Sequence, residues 1–232
     1  MLDEKAQCIL EFLSRVGYCQ ERHLIKLLNL ETERPTVYNK IRSLVKKDLV
    51  VKLHFLQGED YFIMLTKTAA AQFGITPSKK LVLNTLKHDM LVLDLWLHLK
   101  HTHINSIIKT EKELKRSLGL RGVGISKVPD LLLNNEIAIE VELTAKTETR
   151  LREIINSYIL KPEIVQVHYY TKSRAIINRV FKLSQISAKF KGFLFKEGIE
   201  HAVEVFPSEA RAANSLVSHS SVGAFNLDEY LS

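Results

Sequence analysis

Val128-Pro129-Asp130-Leu131-Leu132-Leu133-Asn134-Asn135-Glu136-Ile137-Ala138-Ile139-Glu140-Val141-Glu142-Leu143 reads as two short strands joined by a polar turn. In the second, Ile137, Ile139, Val141 and Leu143 alternate with Ala138, Glu140 and Glu142, the period-two pattern of a strand. The apolar set demands burial, and the two carboxylates share the opposite face about 7 Å apart. With a three-residue turn, Asn134 to Glu136, Leu133 faces Ile137 and Asp130 lies opposite Glu140. Cross-strand partners sit about 5 Å apart, so Asp130 and Glu140 repel unless a proton or a cation lies between them. A hard divalent ion with carboxylate and water ligands suits that set best: Mg²⁺ or Mn²⁺ on Asp130, Glu140 and Glu142. Neither Cys8 nor Cys19 is near, which argues against a soft metal.

Around this hairpin the periodicities alternate. An apolar helix spans about Lys80 to His101, a strand Asn105 to Thr110, a helical turn Glu111 to Leu118 and a Gly-rich loop Gly119 to Gly124. After the hairpin come a helix at Thr147 to Leu160, a strand at Ile164 to Tyr170, a helix at Ser173 to Leu183, and strands near Phe190 to Phe195 and His201 to Phe206. Helix, three strands, helix, strand is an α/β (α+β) order.

The first 76 residues read differently. Ala6, Ile9, Leu10, Leu13 and Val16 mark a helix stopping at Gly17, and Leu24, Ile25, Leu27 and Leu28 a second. A third, capped by Thr32 or Glu33 with Pro35 in its first turn, has the stripe Val37, Ile41, Leu44 and Val45. Two β-rich runs, Leu49 to Leu56 and Tyr61 to Leu65, flank the turn Gln57-Gly58-Glu59-Asp60. Three helices and a hairpin is the order of a winged helix-turn-helix. The outer side of the third helix carries Arg34, Thr36, Tyr38, Asn39, Lys40, Arg42 and Lys46, residue types that contact phosphates and base edges, and Lys52 extends them onto the wing. The domains are therefore expected at 1–76 and 77–206, with a loosely held tail at 207–232.

Composition narrows the class. Among 232 residues, 46% are hydrophobic and 25% charged, with nine Gly and five Pro, which excludes collagen-like and wholly disordered chains. No run of about 20 uncharged apolar residues exists, so no membrane span is expected. Asp3, Glu4 and Lys5 open the chain where a secretory signal has a basic run and an apolar block, and two cysteines make no disulfide framework; a cytoplasmic protein is expected. Residues 1–80 hold 13 basic and 9 acidic side chains, residues 81–190 hold 17 and 11, and residues 191–232 hold 3 and 6. A basic body with an acidic end suits a polyanion partner.

Pro129-Asp130, then Glu140-Val141-Glu142 and Lys146, resembles the PD-(D/E)xK nuclease pattern. With the winged helix in front, Leu86 to Asp89 (Leu-x-His-Asp), Thr110-Glu111-x-Glu113-Leu114 and a helix ending in Tyr158, the chain from Leu2 to Phe181 is similar to replication-relaxation proteins, including MobC-class plasmid mobilisation relaxases. The resemblance implies a bacterial cytoplasmic protein that nicks or opens one strand at a plasmid transfer origin. Its partner would be double-stranded plasmid DNA, with accessory mobilisation proteins and a coupling protein beside it. Carried over, Asp130, Glu140 and Glu142 are metal ligands or bases, Glu111 a supporting acid, and Lys146 a phosphate contact. His88 joins the site, and Tyr158 is a candidate for a covalent link. In one departure, Glu142 stands where the nuclease pattern has its Lys.

Other readings compete. Tyr169 and Tyr170 alternate on a strand, so at most one reaches the site, and Tyr158 shares its stripe with Leu151, Ile154 and Ile155, its hydroxyl at an edge. His98, His101 and His103 fit surface histidines near a helix C-terminus better than a metal site. The chain could also be a non-catalytic replication initiator or regulator with vestigial carboxylates, or an adaptor recruiting a partner through its acidic tail.

Overall fold

Helix α1, Glu4–Val16, starts where Asp3 accepts the Ala6 N–H at 2.9 Å. It ends at Gly17, whose φ of 94° turns its N–H onto the Leu13 carbonyl at 2.8 Å. The computed structural model describes residues 2–30, 33–54, 61–75, 83–117, 127–185 and 187–207. β1 (Tyr18–Gln20), α2 (Glu21–Leu27), α3 (Arg34–Lys46), β2 (Val50–Leu53) and β3 (Phe62–Leu65) follow. The strands form an antiparallel sheet in the order β1-β3-β2. Pro35 sits in the first turn of α3, where its missing N–H costs little. Glu33 precedes that helix without a side-chain cap, and Thr32 and the turn at 57–60 lie outside the described residues. Val45, expected in the apolar stripe, is 39% exposed, because Val37, Ile41 and Leu44 already fill the buried side. The short β1 and α4 (Lys67–Gln72), capped by Thr66, escape the sequence reading.

The rest comprises α5 (Leu83–Thr102), β4 (Ile108–Thr110), α6 (Glu111–Ser117), β5 (Leu131–Leu133), β6 (Ile137–Glu142), α7 (Glu148–Ile159), β7 (Gln166–Thr171), α8 (Arg174–Leu183), β8 (Phe190–Leu194), a 3₁₀ turn Ile199–His201 and β9 (Val203–Val205). Six strands pair in the order β4-β5-β6-β7-β8-β9. β4 to β6 form an antiparallel meander, β6 to β8 run parallel through the crossovers α7 and α8, and β9 closes the edge antiparallel. The described residues thus form a mixed α/β structure with eight α-helices and two sheets. The Gly119 to Gly124 loop, residues 76–82 and the tail from 208 lie outside them.

The deciding hairpin has the expected register, Leu133 against Ile137 and Leu131 against Ile139, so the next pair outward is Asp130 and Glu140. Asn134 and Asn135 make the turn with φ of 52° and 63°, a left-handed conformation that asparagine tolerates.

α5 explains how the two parts meet. Leu93, Leu95, Trp96 and Leu97 are all buried, so the middle of the helix is covered on every side, while its ends at Thr85, Lys87 and Lys100 are exposed. One hydrophobic cluster runs from Ile9, Leu13 and Ile41 through Leu95 and Leu97 to Leu131, Ile139 and Val141 of the large sheet. The parts on either side of the expected boundary at 76/77 therefore share a core. The other sheet face carries a second cluster, in which Ala138 and Tyr169 meet Leu151, Ile155 and Tyr158 of α7 and Val180 of α8. Among the described residues, no helix is long and apolar enough to cross a membrane.

Candidate active site

Asp130 ends the loop before β5, and its Oδ2 accepts the Val141 N–H at 2.8 Å, pinning the carboxylate against β6. Its backbone carbonyl accepts the Glu111 N–H at 3.0 Å, which ties the start of α6 to the same point. From the other side, His88 of α5 brings Nε2 to 3.2 Å from Asp130 Oδ2, while its Nδ1 lies 3.3 Å from Asp89 Oδ1. Tyr18 of β1 donates its hydroxyl to Asp89, and Thr85 donates to the same oxygen at 3.1 Å. A continuous chain, Tyr18 to Asp89 to His88 to Asp130, therefore links the small sheet to the large one. Burial disfavours charge on His88, but its hydrogen bonds to Asp130 and Asp89 outweigh that and raise its pKa to about 10. The imidazole is thus held as a cation between two carboxylates.

Glu140 and Glu142 lie on the α7 side of β6 and are 5% and 7% exposed. α7 covers them, where the sequence alone fixes only that they share a face. Glu140 accepts the Tyr158 hydroxyl, and its other oxygen sits 2.9 Å from Lys127 Nζ. Burial, then the charge of Asp130, raise its pKa to about 7; Lys127 and Tyr158 offset only part of this. Glu142, at the end of β6, pairs with Lys146 of the loop before α7, and burial holds Lys146 below the usual lysine range.

The structure therefore brings Asp130, Glu140 and His88 together with Lys127, and sets Glu142 with Lys146 in a neighbouring pair. Glu111 flanks His88, Asp89 and Asp130 along one cleft, its carboxylate 2.6 Å from Lys115. Tyr158, expected with its hydroxyl at an edge, is fully buried because that hydroxyl must reach Glu140. In this arrangement it orients a carboxylate and is closed to an incoming phosphate. Tyr169 and Tyr170 fall on opposite sheet faces, as alternation requires, and both are buried. The Tyr169 hydroxyl, on the strand position that pairs with Glu140, is buried without a partner among the described residues.

The donor set can be tested against a metal ion. Asp130 stands one residue beyond the β5–β6 ladder and its charge acts against that of Glu140; a divalent cation relieves such repulsion, and Mg²⁺ needs only one or two carboxylates when water completes its shell. A two-carboxylate site on Asp130 and Glu140, beside the unpartnered Tyr169 hydroxyl, fits this arrangement once Lys127 withdraws. A three-carboxylate site does not: among the described residues no group of three His, Cys, Asp or Glu side chains is placed to share an ion.

Of the nucleic-acid candidates, Arg34, Tyr38, Asn39, Arg42 and Lys46 are exposed on α3. Thr36 and Lys40 are half-buried: Thr36 lies 3.5 Å from Glu33, and Lys40 pairs with Asp3 at the start of α1. Lys52 stands over the rings of Tyr38 and Tyr61 at 4.8 and 4.1 Å, a cation–π arrangement that fixes its direction. His98 is half-buried and His101 and His103 exposed at the end of α5.

Sequence reasoning misses Lys127, Asp89 and Tyr18 as members of the site. Lys127 is 13 positions from Glu140 in no periodic relation, and Tyr18 is 71 from Asp89. The one signal was the apolar helix carrying an adjacent His88-Asp89 pair, whose two polar groups need partners from elsewhere. Compared with protein-family models and with curated protein sequences, the chain has no match.

Proposed function

We propose that the chain is a mobilisation relaxase-like protein. In this reading α1 to β3 act as a winged helix-turn-helix that binds a transfer origin, and α5 to β9 as a PD-(D/E)xK nuclease-like domain that nicks or opens one DNA strand. The observation that carries the reading is the hairpin register that sets Asp130, one residue beyond the β5–β6 ladder, beside Glu140, with Glu140 pushed up to about 7 by burial and by Asp130. Such like-charge crowding in a site the fold has gone to lengths to build is a mark of function. The order α5-β4-α6-β5-β6-α7-β7 supports it, as does the basic outer surface of α3.

The residues then divide the work. Arg34, Asn39, Arg42 and Lys46 hold backbone and bases; Asp130 and Glu140 would hold Mg²⁺ or Mn²⁺; Lys146 meets a phosphate when it leaves Glu142. A bound ion there supplies a Lewis acid for a phosphate oxygen and an acidified water. His88, protonated between its two carboxylates, would orient Asp130 and offset part of its charge. The runner-up is a non-catalytic replication initiator or regulator with a vestigial nuclease fold, and the Lys127–Glu140 and Lys146–Glu142 pairs favour it, since each neutralises a carboxylate internally.

Scission of supercoiled origin DNA in Mg²⁺ or Mn²⁺ separates the two. Wild type should nick, while Asp130→Ala and Glu140→Ala should bind with unchanged affinity and not cut. Equal activity in all three rejects the metal-nuclease reading, and no cutting in any leaves the regulator.

A further inference from the structure

A cleft of about 180 Å³ opens between the end of α1 with β1 and the walls formed by α5 and α6. Its two ends differ. At one end stand His88, Asp89 and Asp130. At the other, Val92 and Leu93 present apolar walls beside Trp96 and Lys112. This second end holds two hydrogen-bond donors that have no acceptor among the described residues. The Trp96 indole N–H is buried and unpartnered, and Lys112 has no ion pair among the described residues. Burial, with Arg116 nearby, brings the Lys112 pKa down to about 8. A buried N–H and a half-buried ammonium without acceptors both ask for oxygen or ring-nitrogen acceptors from outside the chain. Apolar walls, donors at the far end and a phosphate-handling end are the requirements of a nucleotide lifted out of a base stack.

We propose that this cleft takes one unstacked nucleotide, its base between Val92, Leu93 and Trp96 with acceptors facing Lys112, and its phosphate toward Asp130. The assignment of the phosphate end rests on the cleavage reading above; the base end stands on the two unpaired donors. The source of the nucleotide is either a free mononucleotide or a base of a DNA strand.

Trp96 is the chain's single tryptophan, so its emission reports on the cleft alone. The full chain is titrated in Mg²⁺ with deoxynucleoside monophosphates, with deoxyribose 5-phosphate, and with a short single-stranded oligonucleotide. Base-bearing ligands should change the emission saturably, and the sugar phosphate should not. Lys112→Met should weaken binding about tenfold, the loss of one charge-assisted hydrogen bond, and Lys112→Gln, which keeps a donor, should recover part of it. Saturation by mononucleotides identifies the free nucleotide as the source, and a Lys112-dependent response to the oligonucleotide alone identifies a DNA base. Silence with every ligand, an equal response to the sugar phosphate, or unchanged affinity in Lys112→Met overturns the proposal. Strand scission is read in parallel: cutting with a silent Trp96 removes this inference and leaves the cleavage reading, and a Trp96 response without cutting does the reverse.

Discussion

Glu140→Gln isolates the electrostatic tension of the site. In the unfolded chain the Glu140 carboxyl ionises near 4.5, and in the folded protein at about 7, because burial and Asp130 disfavour its charge. Between those values the unfolded chain releases the proton first, so folding stability falls as pH rises. Integrated from pH 5 to pH 8, that difference is about 2.5 kcal/mol. Glutamine has the same shape, can accept the Tyr158 hydroxyl and cannot ionise. The variant should therefore gain about 2.5 kcal/mol on wild type between pH 5 and pH 8, whatever constant offset comes from the lost partner of Lys127. Urea denaturation followed by far-UV circular dichroism at a series of pH values measures it, provided the denaturant slopes agree. Mg²⁺ adds a second arm: an ion on Asp130 and Glu140 stabilises wild type at pH 8 and leaves Glu140→Gln less affected. Parallel pH profiles for the two proteins would refute the claim that burial and Asp130 raise the Glu140 pKa.

His88 acts in a different window with the same trend. Its folded pKa of about 10 lies above its ordinary 6.5, so its contribution is complete below pH 6.5 and lost as pH rises toward 10. His88→Gln should flatten the fall in stability across that range, and in NMR titrations Asp89→Asn should lower the His88 pKa; an unmoved His88 resonance excludes Asp89 as its partner. On the proposed DNA-binding surface, Arg42 is exposed with no ion pair among the described residues while Lys40 is tied to Asp3. Arg42→Ala should thus reduce the slope of log affinity against log salt by about 0.9, and Lys40→Ala by clearly less, in filter-binding or anisotropy assays. Equal slopes would mean the Lys40–Asp3 pair opens on DNA.

The hairpin was legible because two independent constraints agree on it. The alternation from Ile137 to Leu143 allows one buried face, and the three-residue turn with two asparagines allows one register, so Asp130 and Glu140 could be paired on sequence alone. What surrounds them could not be read. Whether a carboxylate faces an ion, a lysine or solvent depends on side chains brought in by tertiary packing, and Lys127 and Tyr158 arrive from a loop and a crossover helix with no periodic link to β6. The same holds for Lys40: its position on α3 marks it as outward-facing, but the proximity of Asp3 at the start of α1 is a property of helix packing. Short elements such as β1 and α4 were missed because three or six residues carry too little periodicity to register.

α5 has a geometric corollary for the proposed cutting. A helix whose middle is packed all round is a poor hinge, since rotation about it would expose leucines that both neighbours now cover. The recognition surface and the carboxylates are then the two jaws of a rigid caliper, and the number of base pairs from the bound sequence to the nicked bond should be one constant. Inserting or deleting a base pair between them in the target should shift the cut by one bond along the sequence, so that this number is kept.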